Sequence, residues 1–116
     1  MPIVIAGSIR VPAEHRAHLL EASQPYQVGS RTEAGCEHYI WSLDSADDGM
    51  IYVFEQWRDE ASLAAHFAAE PYLATLQLFA NTCEFEAAVN KYRVDLVEPV
   101  YDTAGVPRAD FFSDTP

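Results

Sequence analysis

The stretch GMIYVFEQWRDEASLAAHF, residues 49–67, decides the fold. Its first half alternates as a strand does: Ile51, Val53, Glu55 and Trp57 point to one side, and Tyr52, Phe54 and Gln56 to the other. Asp59 follows with the short acceptor side chain that suits a helix N-cap, and Glu60 adds negative charge in the first turn. Leu63, His66 and Phe67 then share one helical face. A strand therefore sends a carboxylate and an indole to one side, and the next helix brings an imidazole back over them. Glu55, Trp57 and His66 form the candidate site.

Upstream, Ser45-Ala46-Asp47-Asp48-Gly49 reads as a hairpin connection, its acidic pair as a solvated turn rather than a metal site. It joins the central strand to an earlier one, Cys36 to Asp44, entered through the turn Glu33-Ala34-Gly35. Cys36, His38, Ile40 and Ser42 are expected on one face of that strand, and Glu37, Tyr39, Trp41 and Leu43 on the other. From Pro12 to about Arg31 the pattern is helical, with Leu19, Ala22, Ser23 and Tyr26 on one face; Pro25 predicts a kink or a break near Gln24. Residues 3–11 read as the first strand. Downstream, Pro71 opens a short helix carrying Tyr72, Leu76 and Phe79 on one side, Asn81 to Glu84 breaks it, and Tyr92 to Val100 alternates as a last strand.

The order β-α-β-β-α-β predicts an α+β, ferredoxin-like fold: a four-stranded antiparallel sheet with helices on one face. The domain is expected over 1–100, with 101–116 a tail that is loose or laid against a partner subunit. Ile40, Tyr52 and Phe54 on the face away from the helices are too apolar to stay wet, so a homodimer built on that face is expected.

Bulk properties narrow the partners. A chain of 116 residues, 49% hydrophobic and 12% aromatic, is one folded domain. A net charge of −11 repels phosphate backbones and offers no basic face to anionic lipid, so neither nucleic acid nor a membrane is an expected partner. No apolar run approaches the roughly 20 residues that span a bilayer. MPIVIAGSIR lacks a basic leader, and the expected location is cytoplasmic. Cys36 and Cys83 lack metal or redox spacing and read as inert. No metal-ligand cluster, phosphate-cradling glycine loop or Ser/His/Asp arrangement is present in the sequence pattern.

The segments VPAEHRAHLLEA, SRTEAGCEHYIWSLD and YVFEQWRDEASLAAHFAAEPY carry a recognisable pattern. It consists of Val11, Pro12 and Glu14; Ser30, Arg31, Glu33, Gly35 and Cys36; Glu55 and Trp57; and Leu63 and His66. In order and spacing the pattern resembles the antibiotic biosynthesis monooxygenase family over roughly the first two-thirds of the chain. The resemblance implies a dimeric α+β barrel. In characterised members it implies oxidation of phenolic or quinol-type aromatics by dioxygen, with no metal or flavin. Haem-degrading relatives carry a histidine ligand some two and a half turns beyond the position of His66. Leu73-Ala74-Thr75-Leu76 stands in that neighbourhood here, so haem is not expected. Val53 stands where some aromatic-oxidising members place an asparagine.

On this reading His66 is the general base, its imidazole able to take a phenolic proton near neutral pH, and Glu55 orients it. The structural alternative is that the two merely satisfy each other in the core, since an inward carboxylate is costly without a partner. Trp57 would stack on a flat substrate or simply fill the core. Tyr39 and Trp41 share its sheet face if the hairpin is in register, and Val53 and Phe67 complete the expected substrate pocket. His38 belongs to the dimer face, and His15 and His18 to solvent. The expected activity is a cofactor-independent monooxygenase acting on a small aromatic and dioxygen. The alternatives are a non-oxidative isomerase or lyase using the same pocket, and a ligand-binding dimer without turnover.

Overall fold

Strand β3, Met50–Trp57, lies inside the sheet and pairs on one flank with β2, Cys36–Leu43, and on the other with β1, Ile3–Arg10. The structure is a computed structural model, and it describes residues 1–113. A fourth strand, β4 (Glu86–Arg93), closes the order β2-β3-β1-β4, and every pairing is antiparallel. Three helices, α1 (Ala13–Arg31), α2 (Glu60–Phe67) and α3 (Glu70–Thr82), complete a ferredoxin-like α+β fold. No helix among the described residues is long and apolar enough to cross a membrane.

The core sits between the helices and the inner sheet face. Ile5, Ile9, Tyr39, Ile51, Val53, Glu55 and Trp57 are all buried there. The other face leaves Ile40, Tyr52 and Phe54 between 40% and 47% exposed in the single chain. Alternation along β3 thus emerged as the sequence predicts, inward residues buried and outward ones not.

Three local expectations change. Helix α1 runs unbroken through Pro25. Proline removes the donor that would have bonded the carbonyl of Glu21, but both residues lie on the exposed side, where an unpaired carbonyl costs less than in the core. In β2 the register slips between Cys36 and His38, so that Glu37 is an extra residue and Cys36 pairs with Trp57. Cys36 therefore joins Tyr39 and Trp41 on the inner side, not His38 on the outer one. The last strand is Glu86–Arg93, and not Tyr92–Val100. Its sequence, EAAVNKYR, is exposed at every position and so shows no burial alternation; it exists because β1 offers a free edge. Gly7 lets it come close, since a Cβ there would lie 2.2 Å from the Ala88 carbonyl oxygen.

Beyond Val94, whose N–H donates to the Pro2 carbonyl, the chain folds back on itself. Tyr101 bridges to Pro107, and the Glu98 carboxylate accepts hydrogen bonds from the backbone N–H groups of Phe112 and Ser113. Residues 114–116 of the expected tail lie outside the described residues.

Candidate active site

The hairpin register places Tyr39 opposite Glu55 and Trp41 opposite Val53, so strands β2 and β3 present all four side chains, with Trp57, to the helices. The strand ends at Trp57, and Asp59 turns the chain into α2 by accepting from the Ser62 N–H at 2.8 Å. Two helical turns later His66 lies over the sheet, 1% exposed. Its ring centroid is 4.4 Å from that of Trp57, 5.4 Å from Tyr72 and 5.6 Å from Tyr39.

The carboxylate that holds His66 is Glu33, from the turn before β2: His66 Nδ1 and Glu33 Oε1 are 2.6 Å apart. A carboxylate oxygen only accepts, so Nδ1 carries the proton and Nε2 faces the other way. Nε2 points to Glu55 Oε1 at 3.8 Å, too long for a hydrogen bond. Oε1 is held instead by the Trp57 indole, whose Nε1–H donates to it at 3.0 Å. The three groups form a line, Glu33–His66–Glu55, in which the imidazole separates two carboxylates.

Glu33 reaches His66 because its turn is clamped to the β3–α2 junction. The Arg58 N–H donates to the Gly35 carbonyl at 2.8 Å, and Gly35 adopts φ +80°, in the left-handed region. A Cβ there would lie 2.0 Å from Ser62 Oγ. Glycine is required twice over, once by the backbone and once by the helix beneath it.

Beside this line opens a cavity of about 670 Å³, bounded by the inner sheet face and by α2 and α3. Glu55, Tyr39, Trp41, Val53 and Phe67 are on its wall, as are Tyr72 and Phe79 from α3 and Val89 and Lys91 from β4. Trp57 and His66 are not; they stand behind Glu55, fully or almost fully buried. Five of the seven residues assigned from the sequence thus meet at one cavity, and the remaining two support it from within. Glu33, Tyr72 and Lys91 had no assigned role. Only Glu33 carried a signal, as the acidic position of the SRTEAGC segment.

Burial pushes the Glu55 carboxyl above its ordinary range; the Trp57 hydrogen bond and His66 oppose that rise, and the charge of Glu33 adds to it. Burial, reinforced by the Glu55 charge, also holds the Tyr39 phenol well above its usual value, so it stays neutral. Two buried polar atoms lack a hydrogen-bond partner among the described residues: Glu33 Oε2 and Trp41 Nε1. A buried carboxyl with a raised pKa, facing an apolar cavity and backed by an imidazole, has the chemistry of a proton acceptor. No group of three or more His, Cys, Asp or Glu among the described residues is arranged to hold a metal ion.

Comparison with known proteins places the chain. The model of a family described as antibiotic biosynthesis monooxygenase matches residues 2–78. An uncharacterized protein of Synechocystis is 38% identical over 71 residues, 61% of this chain and 48% of that protein. The chain spans about half the length of this curated relative. A solved structure from Deinococcus radiodurans, provisionally described as an antibiotic biosynthesis monooxygenase, superposes with a TM-score of 0.77 at 20% identity, covering 86% of this chain and 99% of that one. That likeness is one of fold. A Pseudomonas aeruginosa structure is 29% identical with a TM-score of 0.65, over 80% of this chain and 94% of that one. The family match ends within α3, so β4 and the tail lie beyond it.

Proposed function

Because this chain belongs to the antibiotic biosynthesis monooxygenase family, we propose that its cavity takes a small phenolic or quinol-type aromatic and oxidises it with dioxygen, using neither metal nor organic cofactor. The observation that carries this reading is Glu55: a carboxylate 7% exposed, facing a cavity walled by aromatic rings, with its pKa raised. Glu55 is the proton acceptor. Trp57 is the positioning residue that holds its Oε1, and the His66 imidazole, held in turn by Glu33, stands behind it.

The steps balance without a further reagent. In an anthrone-type phenol, Glu55 removes a proton from the activated ring CH₂, leaving an electron-rich carbanion conjugated with the aromatic rings. That anion reduces dioxygen, and the two combine to form a carbon–oxygen bond. The resulting hydroperoxide regains the proton from Glu55 and loses water, so a CH₂ becomes a C=O while one oxygen atom enters product and the other leaves as water. Apolar walls keep bulk water from the anion.

Oxygen consumption by EDTA-dialysed protein, with hydroquinones and anthrone-type phenols, tests the reading. Uptake above the spontaneous rate should persist after dialysis and fall by about 100-fold or more in Glu55→Gln, the range expected for loss of a positioned base. Unchanged uptake in that variant would remove Glu55 from the chemistry. The same acid–imidazole line suits an isomerase or lyase, because proton transfer alone needs no oxygen. Turnover of a substrate without uptake would select that reading. A binding dimer without turnover would be favoured by a pocket filled with its own side chains, and a cavity of about 670 Å³ is not so filled. We further propose that a second copy covers Ile40, Tyr52 and Phe54, making the working unit a homodimer.

A further inference from the structure

The chain has 18 acidic residues against seven lysines and arginines, so an unpaired cation in it is unusual. Among the described residues, five of the six arginines are committed to carboxylates, carbonyls or a hydroxyl. Lys91, the only lysine in the sequence, and Arg93 have neither an ion pair nor a side-chain hydrogen bond among the described residues. Both stand on the inner side of β4, opposite Ile5 and Ile3.

Lys91 is on the cavity wall. Ile5 pairs with Lys91 on one flank and with Glu55 on the other, so the three form one row across the sheet, the carboxylate inside and the ammonium at the edge. Adjacent strands lie about 4.8 Å apart, so the row measures roughly 10 Å between its end backbones. That distance accommodates an aromatic ring with one polar substituent at each end. Asp59 and Glu60 border the adjoining groove with Lys91 and Arg93, yet neither comes within ion-pair distance of them. Asp59 is engaged by the Ser62 N–H and by Arg58.

Resting on the proposed use of the cavity, we infer that Lys91, supported by Arg93, recognises an anionic substituent, and that the substrates are aromatic hydroxy acids. The acidic end of the ring meets Glu55 and its carboxylate meets Lys91. In a protein of net charge −11, a cation at this place offsets the general repulsion of an anionic ligand at the point of entry. A lysine on an edge strand also discourages strand pairing. That duty requires charge at the edge but no relation to the ligand, and the following experiment separates the two.

Binding of 6-hydroxy-2-naphthoate and of its neutral carboxamide is measured by calorimetry for the wild type, Lys91→Gln and Lys91→Arg, with circular dichroism confirming the fold. The wild type should bind the carboxylate about fivefold or more tightly than the carboxamide, the scale of partly exposed charge contacts. The preference should shrink near about 0.5 M salt, disappear in Lys91→Gln and persist in Lys91→Arg, with carboxamide affinity alike in all three. Carboxamide binding with no carboxylate preference, or a preference that survives Lys91→Gln, overturns the assignment while leaving the aromatic cavity in place. Failure of both probes to bind the wild type overturns the cavity reading and this inference together.

Discussion

Glu55 carries opposing demands. The proposed chemistry needs a carboxylate that takes a proton from the substrate, whereas stability penalises a charge in that place. In the folded chain burial raises its pKa above the ordinary glutamate value of about 4.3. Below that value both folded and unfolded chains hold the proton, and nothing is lost. As pH climbs through the window up to the raised value, the folded protein must ionise a buried acid while the unfolded chain ionises freely, so stability falls; above the window the loss is constant. Glu55→Gln keeps an acceptor for the Trp57 indole and removes the penalty. Its urea midpoint should match that of the wild type near pH 4 and exceed it near pH 8. A variant less stable at both values would mean that the carboxylate is net stabilising through His66. The role of Glu55 as an inward carboxylate was legible from alternation alone, but its relation to His66 was not. Glu33, 33 positions from His66, took the orienting place, because only the folded turn brings it there.

At the scale of elements, the β3–α2 junction was readable because its determinants are local: a period of two, then Asp59, then a helical face. The turn that meets it was readable only as a turn. Gly35→Ala tests how much it matters. The substitution strains a left-handed backbone and drives a methyl group into Ser62, and should cost about 2–4 kcal/mol in urea unfolding. Adding Ser62→Gly should return the steric part and leave the backbone part. A loss below about 1 kcal/mol would show that the turn adjusts without strain. Strand β4 was missed for the opposite reason to β3. Its residues bury nothing, so its position is dictated by the edge of β1 and the missing side chain of Gly7, neither of which leaves a pattern in residues 86–93.

At the scale of the molecule, the single chain is lopsided: one sheet face is packed and the other shows aromatic and branched side chains to water. If a second copy covers that face, Phe54→Asp should place a charge in the interface and shift sedimentation from dimer to monomer at micromolar concentration, with the far-ultraviolet spectrum unchanged. A wild type that already sediments as a monomer would end the proposal. The lone lysine has a practical counterpart. Reagents that attack lysine amines find one side chain in these 116 residues, and it stands on the wall of the cavity. A dye attached there would report ligand binding directly, whereas amine coupling to a sensor chip would turn that wall towards the matrix and hide it.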